Sequence, residues 1–214
     1  MDPEIVAVVG LCLFLVLWYA AGYLYNRRQG QHLFFWLEQG LDVLGSKREA
    51  GWLGSPASGA RVNILEAHPP FRRLELTLLL ERREVPLLWL LDRLRGRRDW
   101  LVIKATLRSP GREEWEIGPA PSKKSGPRGT WGQRECLHGL VLTYPGTAAP
   151  PQALELSTWI ETYGSHVSRL IWQKSDPHIQ FQGRVDGLLD GPSRAFLSDF
   201  QAAVEKAASA KRET

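Results

Sequence analysis

Four guanidinium groups fall within six residues: Arg93, Arg95, Arg97 and Arg98. Guanidinium forks hold phosphates and carboxylates bidentately, so the chemistry such a cluster suggests is recognition of anions. A second basic group, Lys123, Lys124 and Arg128, sits in APSKKSGPRGTWG (residues 120–132), where Gly126, Gly129 and Gly132 spell GxxGxxG. A phosphate cradle of that kind needs a strand before it and a helix opening after it. Prolines precede this stretch and a strand is expected after it, so it reads as a basic loop. Residues 72–112 carry eleven Arg/Lys against five Asp/Glu. Two explanations for the arginine cluster stay open. The cations offset the negative C-terminal pole of a helix, or they form a patch facing anionic phospholipid or ribosomal RNA. Both basic groups lie outside the apolar periodic positions and are expected to face solvent.

Little else in the chain could carry out a reaction. His32, His68, His138, His166 and His178 are scattered, with no HExxH, no i,i+4 histidine pair and no CxxC, which leaves a metal site without support. There is no GxSxG elbow. Glu113, Glu114 and Glu116 resemble a solvated hairpin face more than a catalytic carboxylate pair. We expect no enzyme, no cofactor, no catalytic residue and no metal ligand.

The element that must position these cations is the first hydrophobic run, residues 5–25, IVAVVGLCLFLVLWYAAGYLY, with no charge in 21 positions. A helix of that length rises about 30 Å, enough to cross the hydrocarbon core of a bilayer. Trp18, Tyr19, Tyr23 and Tyr25 gather at its C-terminal end, where amphipathic rings favour the lipid–water interface, and Arg27 and Arg28 follow. Asp2 and Glu4 precede it, so the positive flank is C-terminal and should stay cytosolic. The run is longer than a signal peptide's apolar region and lacks a basic n-region. The expected topology is a short external tail (1–4), a transmembrane helix (5–25) and everything beyond in the cytoplasm. The membrane would be the plasma membrane of a prokaryote or the ER of a eukaryote.

The formal charge is +4; without Asp2 and Glu4 it becomes +6, from twenty arginines and seven lysines against the remaining acids. Anionic lipid or RNA is a natural partner for such a surface, although a GC-rich codon bias on an ordinary solvated surface gives the same count. Cys12 and Cys136 cannot form a disulfide framework, which fits a reducing cytoplasm.

Beyond the anchor, Leu33, Trp36, Leu37, Leu41 and Leu44 recur at three and four, predicting a juxtamembrane helix over 26–44, either continuous with the anchor or bent near Gly30. Residues 45–60 read as a linker and 61–209 as one cytosolic domain, with a tail at 210–214. Strands are expected at 61–67, 72–83, 99–108, 113–117, 135–144, 167–173 and 178–185, and helices from Pro86 to Gly96, at 152–163 and at 192–206. The segment at 113–117 is expected to form a hairpin with 99–108 across Ser109-Pro110-Gly111. Short connections rather than βαβ crossovers argue for an α+β fold with a largely antiparallel sheet.

The order of these features resembles the calumin family, coiled-coil-domain membrane proteins of the ER that partner Asterix in the translocon-associated PAT complex. The membrane exit YLYNRRQG leading to Trp36 is similar, as are Ser58-Gly59-x-Arg61-Val62, the leucine-rich stretch from Leu74 to Leu94, and Ile103-Lys104-x-Thr106. Glu161-x-Tyr163 before Val167, and HIQFQGRVDG before a closing helix, continue the same order. The resemblance covers roughly residues 19–208. It implies a non-enzymatic role beside the Sec translocon and ribosome, with small membrane partner proteins, in the insertion or folding of multi-span membrane proteins. The family's acidic lumenal segment and C-terminal coiled coil have no counterpart here. Calcium binding is therefore not expected, and ribosome contact would have to come from the domain surface.

Overall fold

The computed structural model describes residues 2–109, 111, 113–119 and 131–210. Helix α1 (Pro3–Glu38) is a single run of 36 residues. Among the described residues it is the one helix long and apolar enough to cross a membrane. Its first half touches little: Leu13, Leu15, Val16 and Leu17 are all exposed. In its second half Leu33, Trp36 and Leu37 are buried in the domain core. The chain breaks at Gln39 and Gly40, and the short α2 (Leu41–Leu44) buries Leu41 and Leu44 in the same core. The predicted anchor and juxtamembrane helix are thus one rod. Gly30 does not bend it. A Cβ there would collide with the Pro56 carbonyl, so this glycine lets a neighbouring chain come close.

The strands are β1 (Arg48–Trp52), β2 (Gly59–Ile64), β3 (Phe71–Leu79), β4 (Trp100–Leu107), β5 (Trp115–Pro119), β6 (Trp131–Glu135), β7 (Leu140–Pro145), β8 (Val167–Trp172) and β9 (Ile179–Arg184). They form one sheet in the order β1-β2-β3-β4-β9-β8-β5-β7-β6, with every pairing antiparallel. One face takes the alternating apolar residues, Leu74, Leu76 and Leu78 of β3 and Leu101, Ile103, Ala105 and Leu107 of β4, all buried. Against that face pack α4 (Pro151–Tyr163) and α5 (Ser193–Ser209), beside the end of α1. Trp159 of α4 meets Phe181, Phe196 and Phe200 at ring-centroid distances of 5.6, 5.8 and 5.5 Å. The opposite face is polar, with Glu75 between Arg61 at 3.8 Å and Lys104 at 3.5 Å. A two-layer α+β domain results, one face of its sheet covered and the other wet.

Three sequence expectations change. The predicted hairpin between 99–108 and 113–117 does not form: β4 pairs with β3 and β9, and β5 with β7 and β8. Apolar register overrides the turn signal. β9 sets Phe181 opposite Ile103 and Ile179 opposite Ala105, while Trp115 of β5 stacks on Trp172 of β8 at 5.5 Å. The strand expected at 135–144 is two strands, β6 and β7, separated where His138 and Gly139 turn the chain at φ of 62° and 71°. Within the supposed linker 45–60 lies β1, whose five residues are all exposed. It joins the sheet edge through its backbone ladder with β2, while Arg48 reaches Glu38 at 3.8 Å and Trp52 meets Phe34 at 5.1 Å from exposed positions, so it has no apolar period to read.

A titration checks the α4–α5 contact. Burial, and then the Asp199 carboxylate to which the hydroxyl donates at 2.7 Å, push the Tyr163 pKa up to about 12. The folded value lies above the ordinary one of about 10. The stability contributed by the protonated hydroxyl is therefore complete below about pH 10 and lost as pH rises through about 12. Tyr163→Phe should remove the tyrosinate absorbance step centred near pH 12; an unchanged step in the variant would contradict this contact.

Candidate functional site

On one face of α1 every fourth residue meets the segment leaving β3. Gly30 lies against Leu80. Asn26, fully buried, donates through Nδ2 to the Glu81 carbonyl at 2.6 Å and to Glu84 Oε2 at 3.1 Å. Gly22 packs on the backbone of Arg83 and Glu84, which a Cβ would strike. Trp18 Nε1 donates to the Arg83 carbonyl at 3.0 Å. Residues four apart stack along a helix, so residues 80–84 climb α1 towards its N-terminus. They deliver helix α3 (Pro86–Leu94) beside the apolar half of the rod, where Trp89 meets Trp18 at 5.8 Å.

At this junction lies a charged cluster. Arg83 forks onto Asp99, donating to Oδ1 and Oδ2 at 3.0 Å each, and donates to Asn26 Oδ1 at 2.9 Å. The Glu81 side chain is only 1% exposed; it accepts from Trp89 Nε1 at 3.2 Å and lies 3.5 Å from Arg83. Burial opposes the charge on Arg83, yet the fork onto Asp99 and the nearby Glu81 carboxylate hold its pKa above the ordinary guanidinium value. Asp99 is fully forked by Arg83, whereas the buried Glu81 Oε1 has no hydrogen-bond partner among the described residues and its cation is Arg98 at 3.9 Å. The arrangement suits a structural clamp between α1, β3 and α3. Among the described residues no group of His, Cys, Asp and Glu is arranged to hold a metal.

Helix α3 is turned inside out. Its one buried residue is Asp92, which takes Arg82 at 3.1 Å and Arg97 at 3.2 Å. Leu87, Leu88, Leu90, Leu91 and Leu94 are exposed, Leu94 to 76%. Between α3 and α1 runs an open groove of about 530 Å³, lined by Trp18, Ala21, Gly22, Tyr25, Arg83, Trp89 and Arg93.

No protein-family model matches the chain, and no curated protein matches it.

The four clustered arginines are brought together, but three are engaged with acids rather than free. Arg93 and Arg98 approach Glu81 at 4.0 and 3.9 Å, and Arg97 pairs with Asp92. The cause is local: Glu81 and Asp92 face inward beneath the helix end and draw the guanidinium groups onto themselves. Among the described residues only Arg95 of the four has no partner. Lys123, Lys124 and Arg128 lie outside the described residues. Of the aromatic group, Tyr19 and Tyr23 stack at 6.3 Å, while Trp18 meets Trp89 and Tyr25 receives Arg83 over its ring at 5.2 Å. Arg27 and Arg28 are exposed, with no ion-pair partner among the described residues. Sequence reasoning missed Asn26, Glu81, Arg83, Asp92 and Asp99. Two signals were present: the compact run ERRE directly after a leucine-rich strand, and an acid breaking the leucines of LLWLLDRL.

Proposed function

We propose that this chain is a single-pass membrane protein, anchored by the apolar half of α1, with its α+β domain in the cytosol. The domain acts as a non-enzymatic interaction module. In line with the calumin resemblance, it assists insertion or folding of multi-span membrane proteins beside the Sec translocon and ribosome. One observation supports the anchored reading above all. A single helix is free and apolar over residues 5–17 and then buries Leu33, Trp36 and Leu37 in the core of the domain. Arg27 and Arg28, exposed at the boundary, favour a cytosolic domain.

Purification in a gentle detergent followed by mass spectrometry tests the translocon role. Recovery of the Sec channel and ribosomal proteins is the expected result, and their absence removes that role. The second reading, an anionic-lipid-binding or envelope-organising domain without a ribosome link, is favoured by the exposed leucines of α3 and by Arg95, which has no partner among the described residues. Orientation has its own check. A cysteine at the exposed Ser58, with Cys12 and Cys136 replaced by Ala, should stay shielded from membrane-impermeant thiol reagents in intact cells. Labelling at this site in intact cells reverses the topology.

A further inference from the structure

We propose that α3 is a second membrane element, an amphipathic helix lying in the cytosolic interface of the bilayer that α1 crosses, with lipid covering its leucine face. The proposal rests on the reading of α1 as a span. In a water-facing helix the acid points out and the leucines in; α3 does the reverse, burying Asp92 and exposing five leucines. What covers them is given by position. The contact of Trp89 with Trp18 and the crossing of α1 at Gly22 by the chain entering α3 set α3 beside the apolar half of α1, with Trp89 on the α1 side and the leucines on the outward side at the level of Trp18. Trp18 stands seven residues N-terminal to Tyr25, about 10 Å deeper along the rod at about 1.5 Å per residue. Interfacial helices bury their apolar face about 5–10 Å into the headgroup–acyl boundary, the same level.

The charges agree with this placement. Arg93 shares the groove with Ala21, Gly22 and Tyr25, and Arg95 follows at the helix end without a partner among the described residues. Arg27 and Arg28 stand exposed on α1 within a turn of Tyr25. These cations border the leucine face where anionic headgroups would lie. The charged cluster of Glu81, Arg83 and Asp99 is enclosed by α1, β3 and α3, so the acids are kept from the lipid.

The test uses the full chain in liposomes of phosphatidylcholine and phosphatidylglycerol, with Cys12 and Cys136 replaced by Ala. Spin labels are attached singly at Leu90→Cys, Leu94→Cys, Glu49→Cys and Leu13→Cys. Collision with oxygen, which enriches in lipid, is compared with collision with a water-soluble nickel chelate. Leu90 and Leu94 are expected to give an oxygen-to-chelate ratio severalfold above that of Glu49 on the exposed edge strand β1. Equal ratios at Leu90, Leu94 and Glu49 overturn the proposal, since the leucines then face water. Low access to both reagents at Leu90 and Leu94 also overturns it, because a second copy or another protein then covers them. Leu13 separates the two readings: if it too favours the chelate, the span has failed, whereas a lipid-exposed Leu13 beside a water-exposed Leu90 sinks only the interfacial helix.

Discussion

Arg83→Met should lower the unfolding free energy of the domain by about 3–5 kcal/mol, the usual cost of leaving a buried charge without its partner. Glu81 and Asp99 are 1% and 9% exposed at their side chains, and Arg83 itself 18%. Methionine fills much of the same volume but leaves both carboxylate oxygens of Asp99 without the guanidinium fork, Oδ1 keeping only the Glu81 N–H, and Asn26 Oδ1 without its Arg83 donor. Urea unfolding in detergent, followed by tryptophan fluorescence, reads the loss. Arg83→Met combined with Asp99→Leu should recover only part of it: the Asp99 desolvation penalty goes, but the buried Glu81 N–H loses its acceptor Asp99 Oδ1 and Glu81 still lacks Arg83. A loss below about 1 kcal/mol would mean the pair is water-screened, as exposed ion pairs are.

Leu13→Arg with Leu15→Arg should release the chain from membranes. Each charge at the centre of a span costs about 2.5–3.5 kcal/mol on insertion scales, so the pair withdraws about 5–7 kcal/mol. Both leucines are exposed and outside the domain core, which keeps the fold out of the result. Carbonate extraction should move the variant from the membrane pellet to the supernatant, with the circular dichroism of the domain unchanged. A variant that stays in the pellet would show that attachment does not depend on this half of α1.

Elements whose reason for existing is local were legible from sequence alone. The strict alternation of Leu74, Leu76 and Leu78 gave β3, and Phe196, Phe200 and Val204 gave the closing helix, because burial on one face writes its period into the chain. The antiparallel α+β class followed from short connections. Pairing between distant strands did not follow: β4 takes β9 across more than seventy residues, a choice made by facing side chains that no window contains. β1 was invisible since an edge strand with all five residues exposed carries no hydrophobic signature. The clustered arginines were found, but their engagement was not. Whether Arg93 and Arg98 are free or engaged depends on Glu81, which a different element brings beneath them.

The unbroken passage of α1 from its free half into the core sets how this domain can meet other molecules. A Gly/Ser tether lets a module sweep a wide volume and trade orientation for reach. Here the connection is a strut. With α1 spanning a bilayer as proposed, the rod would fix the height of each surface residue above it and couple the azimuth of the sheet to the rotation of the helix. A partner embedded in the same membrane therefore finds the domain pre-registered, with little orientational entropy left to lose on docking. The same stiffness runs the other way. Under the same proposed anchoring, a bilayer of different thickness that tilts the helix would swing the whole sheet with it.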